Sequence, residues 1–141
     1  MITDRCIRMC KTAGEIQKLW RPQIGDYAIC SLGYIGILIN DEKQNIKYPD
    51  GNECIAYVGV SLNGKPWSSR KPIWLPTQSQ LQSMITNKGY FRFSLIELFY
   101  RFANANADKF DSMDEIWLAF VMKMLYNKVW DDEKDQWIKE V

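Results

Sequence analysis

The 141-residue sequence contains no histidine, and this absence excludes several kinds of site. Without an imidazole the chain has no Ser-His-Asp or Cys-His catalytic arrangement, no histidine base and no histidine-containing metal site. An enzyme would have to use Asp, Glu, Cys, Lys or Tyr, and no pattern of these residues assembles a catalytic centre. The sequence therefore favours a protein that acts by binding and needs no cofactor.

Long apolar runs are also missing, and cysteine is sparse. No run of about 18 apolar residues is present to cross a bilayer, and residues 1–10 interleave charges with apolar side chains, unlike a signal peptide. We therefore expect a cytoplasmic protein that does not associate with membranes. Four cysteines without a C-x₂-C pair predict buried free thiols, with a zinc site as the alternative; they are Cys6, Cys10, Cys30 and Cys54.

Carboxylates are absent from one long stretch of the chain. The formal net charge is only +1, yet residues 54–96 hold five basic and no acidic residues, whereas residues 97–141 hold six basic and ten acidic ones. The balanced total argues against a protein that coats DNA. Regions of opposite charge are typical of proteins that steer a protein partner or associate head to tail, so a homo-oligomer is compatible with the sequence.

The first half of the chain indicates one helix followed by strands. Apolar residues recur every three or four positions from Thr3, a suitable N-cap, to Leu19, which predicts an amphipathic helix. Runs of β-branched and aromatic residues predict strands within 27–32, 34–39, 54–62 and 67–75. The Asn63-Gly64 pair predicts a hairpin from Cys54 to Trp74 with a type I′ turn. Pro66 and Pro72 confine its second strand to an edge or break it into pieces.

The second half indicates helices. A hydroxyl residue followed three positions later by Glu or Gln forms a capping box, and this pattern predicts three helix starts, at Thr77, Ser94 and Ser112. Residues 130–141 are predicted to add a short acidic turn or helix. Together these elements predict a single α+β domain over residues 1–141. It would contain a small antiparallel β-sheet preceded by one helix and followed by about three helices.

Three segments carry a resemblance to a known group of proteins. They are LWRPQIGDY at 19–27, WLPTQSQL at 74–81 and FDSMDEIWLAFVM at 110–122. The combination resembles short uncharacterised proteins encoded by phages and prophages of Gram-positive bacteria. The resemblance implies a cytoplasmic accessory role in an infected or lysogenic cell, and it implies no catalytic residues.

Basic and aromatic residues alternate within the stretch that lacks carboxylates. The candidate binding residues of this basic aromatic segment are Lys65, Trp67, Arg70, Lys71 and Trp74. Such a segment favours an anchor-rich contact with a host or phage protein. The alternative is a single-stranded nucleic-acid-binding module, in which the cations meet phosphates and the indoles stack on bases. If instead both tryptophans are core residues, only the surface charge of the segment remains.

Clustered acids raise a second alternative, a metal-dependent hydrolase. The two clusters are Asp108, Asp111, Asp114 and Glu115 around the third helix start, and Asp131, Asp132, Glu133 and Asp135 near the end. Acidic residues at a helix N-terminus are more simply explained by the helix dipole, and a terminal acidic run is usually solvated. We therefore predict no metal and no catalytic residue here.

Overall fold

The chain folds into two compact units in the computed structural model, which describes residues 2–90 and 92–140. The helical unit consists of Met1–Ile16 together with Thr77–Val141, and the sheet unit is Gln17–Pro76. The predicted α+β class is confirmed, since a helical segment precedes an antiparallel sheet and three α-helices follow it. No helix within the described residues is long and apolar enough to span a membrane.

The first predicted helix exists but is interrupted. The Thr3 hydroxyl accepts the Cys6 N–H at 3.0 Å and so begins helix α1, Asp4–Thr12, as predicted. The chain leaves helical geometry at Ala13, with φ −83° and ψ 72°. Helix α2, Gly14–Lys18, follows and spans the point where the two units divide. The amphipathic pattern therefore describes two short helices.

Capping residues begin two of the three later helices where the sequence predicts them. Thr77 and Gln80 exchange both bonds of a capping box at the start of α3, Gln78–Thr86. The Ser112 hydroxyl accepts the Glu115 N–H at 3.2 Å at the start of α5, Met113–Tyr126. The predicted start at Ser94 is wrong. Helix α4 is Arg92–Asn106, so Ser94 lies within its first turn, and a 3₁₀ turn at Ala107–Lys109 follows.

The C-terminal segment is a β-hairpin: the predicted short acidic turn is present between its two strands, and the alternative of a helix is wrong. Strands β7, Lys128–Asp131, and β8, Gln136–Lys139, pair antiparallel, so that Trp130 faces Trp137 with ring centroids 5.2 Å apart. Between the strands the Asp131 carboxylate accepts two backbone N–H groups, which closes the acidic turn. Cross-strand aromatic contact outweighs the weak helical preference of this short stretch. Val141 lies outside the described residues.

Helix α5 forms the core of the helical unit. Its residues from Trp117 to Met122 are all buried. Helix α4 packs against it through aromatic rings: Phe99 stacks on Trp117 with ring centroids 3.8 Å apart, and Phe102 lies 5.4 Å from Phe120. This cluster explains why α4 is stable although the Ser94 motif does not mark its start, because tertiary packing supplies most of the stability of such helices.

The sheet unit contains six antiparallel strands. They are β1 Tyr27–Ile29, β2 Ile35–Leu38, β3 Gln44–Lys47, β4 Glu53–Ser61, β5 Pro66–Ser69 and β6 Ile73–Trp74. Their order is β3-β4-β2-β1-β6, and β5 also pairs with β4. The long strand β4 thus joins three others. Buried Ala28, Leu38 and Trp67 form the core cluster.

The predicted hairpin is present, with a different turn and a shorter second strand. Strands β4 and β5 are joined by a loop in which the Ser61 N–H donates to the Lys65 carbonyl at 2.8 Å. Only Gly64 has a positive φ, 83°, so the turn is not type I′, which requires two such residues. The hairpin ends at Ser69, and β6 pairs with β1 instead. Pro72 separates the two short strands, as predicted.

Candidate functional site

Trp67, a residue of the basic aromatic segment, is part of the core. Its side chain is 5% exposed, whereas Pro66 and Ser68 beside it point outward, as strand alternation requires. The ring occupies space that two glycines leave open: a Cβ on Gly36 would lie 2.4 Å from the ring, and one on Gly59 would lie 3.2 Å from it. The indole N–H donates to the Tyr34 carbonyl at 2.8 Å.

Trp74 is likewise buried, at 6% exposure. Its ring stacks parallel to that of Trp20, with centroids 6.0 Å apart and an interplanar angle of 4°. The Gln17 side-chain amide holds the backbone of Trp74 on both sides, donating to its carbonyl and accepting its N–H, each at 2.9 Å. Neither tryptophan therefore presents an open ring face on which a base could stack.

The three cations of the segment remain at the surface. Lys65, Arg70 and Lys71 are exposed, and no carboxylate among residues 2–90 and 92–140 forms a salt bridge with any of them. The acid-free stretch is divided between the units, because its other two cations, Lys88 and Arg92, belong to the helical unit. The sequence block is therefore not a single basic surface of one unit.

Two of the predicted residues line one cavity at the end of the sheet. This sheet-end cavity has a volume of about 380 Å³ and lies between the β1–β2 turn and the β4–β5 hairpin. Its lining residues are Cys30, Leu32, Tyr34, Ser61, Asn63, Lys65, Pro66, Trp67 and Ser68. Lys65 and Trp67 thus come together, whereas Arg70 lines a different cavity, and Lys71 and Trp74 line neither of the two.

Two large apolar residues, Leu32 and Tyr34, line the sheet-end cavity, and Leu62 lies between its lining residues Ser61 and Asn63 in the chain. The Cys30 N–H donates to the Tyr34 carbonyl at 3.0 Å, and this tight turn leaves Leu32 81% and Tyr34 65% exposed. Leu62, in the β4–β5 loop, is 64% exposed. The pattern of basic and aromatic residues in the sequence does not single out these three residues. The signal that could have found Leu32 and Tyr34 is that they flank Gly33, since tight turns project side chains into solvent.

Arg70 lines a second, more polar cavity of about 480 Å³ with Asn45, Glu53, Cys54 and Ile55. Glu53 also forms a salt bridge with Lys47 at 3.6 Å, so this region carries charges of both signs. The Tyr48 hydroxyl lies 3.5 Å from the Cys54 sulfur, and this hydrogen bond is the main cause that raises the pKa of Tyr48. The arrangement offers less apolar contact than the sheet-end cavity does.

The clustered carboxylates of the hydrolase alternative bind a cation of the chain itself. Arg5 contacts Glu115 at 3.1 Å, Asp132 at 3.2 Å and Asp111 at 3.4 Å. Partial burial opposes the charge of Arg5, but the hydrogen bond to Glu115 and the three carboxylates together raise its pKa. In the described part of the chain, no group of three or more Cys, Asp and Glu residues is arranged to hold a metal ion.

Glu115 is the centre of this Arg5 cluster and is fully buried. It also binds the Thr3 hydroxyl, the Ser112 hydroxyl at 3.4 Å and the Asp111 N–H at 3.3 Å. The side chain therefore joins the N-terminus of α1 to that of α5. This arrangement is typical of a structural ion pair, in which a buried charge is satisfied by several donors.

None of the four cysteines forms a disulfide. Cys6 and Cys10 are buried in the helical unit, and the pKa of Cys10 is raised well above that of a free thiol, first by its hydrogen bond with Cys6 and then by burial. Cys30 and Cys54 belong to the sheet unit and are half-buried, so the expectation that all four are buried is wrong for these two. Each of them lines one of the two cavities, Cys30 the sheet-end cavity and Cys54 the cavity that Arg70 lines.

Comparison of the chain with protein-family models, with curated proteins and with solved structures gave no match. The α+β fold and the geometry of the sheet-end cavity are consequently the grounds for a functional proposal. The phage resemblance stays a prediction.

Proposed function

We propose that this chain is a phage- or prophage-type accessory protein that acts by binding a host or phage protein at the sheet-end cavity. The observation that carries the proposal is the combination of exposed Leu32 and Tyr34 with the exposed ammonium of Lys65 in the lining of one concave site. Most large apolar side chains of a folded domain are at least partly covered. Two large, exposed apolar side chains that line one cavity favour a contact surface.

The chemistry of the cavity defines the partner segment. A volume of about 380 Å³ accommodates one or two side chains, and the Leu32 and Tyr34 side chains offer apolar contact. The Lys65 ammonium would pair with a carboxylate, and a hydrogen bond between charged groups is about twice as strong as a neutral one. We therefore expect a partner that presents an aromatic or aliphatic side chain next to a carboxylate.

The nucleic-acid alternative is less well supported. It required two stacking platforms, and the structure buries both indoles of the basic aromatic segment. The three cations remain, none of them in a salt bridge within residues 2–90 and 92–140, and these alone would give binding without the aromatic contribution of about 1 to 3 kcal/mol per base. Binding through charge alone also predicts that Lys65, Arg70 and Lys71 contribute equally to the affinity for nucleic acid. Protein binding at the sheet-end cavity instead depends on Lys65, and this difference distinguishes the two functions.

The proposal is tested by NMR titration of the ¹⁵N-labelled chain with phenylacetate, which carries both features of the expected partner segment. We expect shifts of the backbone amides of Cys30, Leu32, Tyr34 and Lys65, because these residues surround the cavity. Phenylacetamide has the same shape without the charge. It should bind about tenfold more weakly, since one charge-assisted hydrogen bond contributes about 1.5 kcal/mol.

Matched variants separate the cavity from general charge. Lys65→Glu should abolish the phenylacetate shifts, whereas Lys71→Glu, a change of equal charge in a residue that lines neither cavity, should leave them intact. A gel-shift assay with a single-stranded oligonucleotide accompanies the titration. Equal loss of oligonucleotide binding in both variants, with no phenylacetate shift in the parent chain, would overturn the protein-binding proposal in favour of nucleic acid.

A further inference from the structure

Helix α4 has two apolar faces, and only one of them is packed within its unit. The inner face includes Leu95, which is 5% exposed, and Phe99 and Phe102, which contact α5. The outer face carries Phe93, Ile96 and Tyr100, which are 88%, 66% and 68% exposed. A surface helix of a monomer usually needs one apolar face, so the outer face requires an occupant.

The spacing of the outer face is that of a coiled-coil seam. Phe93, Ile96, Tyr100 and Ala103 follow one another at intervals of three, four and three residues. These are the a and d positions of two consecutive heptads, which align along a neighbouring helix of the same kind. The inner face is offset from them, so both faces can be occupied at once.

Charged residues beside the seam specify the neighbour. Arg92 immediately precedes Phe93 and occupies a g position, and Glu97 immediately follows Ile96 and occupies an e position. In a parallel pair of helices a g residue faces the e residue five positions later on the partner. Two copies of α4 would therefore form the Arg92–Glu97 pair twice. In an antiparallel pair, g would face g and e would face e, which places like charges together.

We infer that the outer face of α4 is a self-association surface, which binds the same helix of a second copy of this chain in parallel through Phe93, Ile96 and Tyr100. The two-fold symmetry closes the assembly at a dimer. Two heptads bury well under the roughly 800 Å² per partner of stable complexes, so the dimer dissociates on dilution. The surface lies in the helical unit and does not depend on the sheet-end cavity.

Sedimentation velocity over protein concentrations from about 1 to about 500 µM tests the surface, because a reversible dimer dissociates within such a range. We expect the parent chain to approach twice the monomer mass. Arg92→Glu and Glu97→Arg should each weaken association about tenfold, because each places like charges across both pairs. An equimolar mixture of the two variants should restore it. Arg101→Gln is the matched control, since it removes the exposed Glu97–Arg101 pair within one helix and leaves the seam intact.

A cross-linking variant tests the orientation. A parallel seam places Ile96 opposite its own copy, so Ile96→Cys, in a chain with Cys30 and Cys54 changed to Ser, should form a disulfide-linked dimer on mild oxidation. A parent chain that stays monomeric throughout, or Arg101→Gln weakening association as much as the seam variants, would overturn the inference. So would flotation of the monomeric chain with phosphatidylglycerol vesicles, since the outer face would then contact lipid.

Discussion

The two units divide the six tryptophans equally but stabilise their cores by different means. In the sheet unit, close packing specifies the core: the Trp67 ring lies over Gly36 and Gly59, and a larger residue at either position would contact the ring too closely. In the helical unit, a polar group is decisive: Glu115 is fully buried and binds Arg5, Thr3 and the N-terminus of α5. One core is specified by close packing and the other by charge satisfaction. They should consequently fail under different perturbations.

The largest expected effect tests the charged core. Glu115→Ala should lower the free energy of unfolding by about 3 kcal/mol, because removing one member of a buried ion pair leaves the other charge and several donors without a partner. Urea unfolding followed by circular dichroism measures the change. Asp111→Ala is the control: it removes another carboxylate of Arg5, but one that is 73% exposed, so its cost should stay below about 1 kcal/mol. Equal losses in the two variants would remove the special role of Glu115.

The next effect tests the close-packed core. Gly36→Ala should destabilise the protein by about 2 kcal/mol, because its Cβ would lie 2.4 Å from the Trp67 ring and overpacking of this kind forces the ring to move. A shift in tryptophan fluorescence should accompany the loss. Gly14→Ala, in helix α2, meets no atom within 4 Å and should stabilise by about 0.5 kcal/mol through helix propensity. If Gly36→Ala left the free energy of unfolding unchanged, the packing of Trp67 would not require a glycine at position 36.

The smallest effect is a pH dependence that arises in the helical unit. The folded chain holds the pKa of Cys10 well above that of a free thiol, so its contribution to stability is complete below about pH 8.5. Above that value the unfolded thiol ionises first, and stability falls by up to about 1.4 kcal/mol per pH unit until the raised folded pKa is reached. Urea midpoints from pH 8 to 10 measure this slope. In the Cys10→Ala variant, the dependence of stability on pH should diminish. An unchanged slope would show that another group causes the pH dependence.

Local signals in the sequence account for much of the fold. Thr3, Thr77 and Ser112 begin helices where the capping chemistry predicts them, and Asn63-Gly64 marks a true hairpin. The failures occur where a distant contact decides. Helix α4 begins at Arg92 because its inner face packs on α5, irrespective of the Ser94 motif. Capping residues mark where a helix can begin, but packing against other elements determines which of several possible starts is used.

The candidate site was harder to predict for the same reason. Lys65 was identified from its neighbours in sequence, but Leu32 and Tyr34 reach the same cavity from another turn, and only the strand pairing brings the two turns together. The burial of Trp67 depends on two glycines that lie 31 and 8 residues earlier in the chain. Composition shows that an indole needs a partner surface, but it does not show whether that surface is the protein's own core.

The Gln17 side chain protects an open edge of the sheet. Strand β6 pairs with β1 on one side only, and on its other side the N–H and C=O of Trp74 would be free to recruit a foreign strand. The Gln17 amide occupies both groups, as a neighbouring strand would. Unpaired strand edges are the starting points of aggregation and domain swapping. One glutamine side chain thus takes the place of a neighbouring strand at the β6 edge of the sheet.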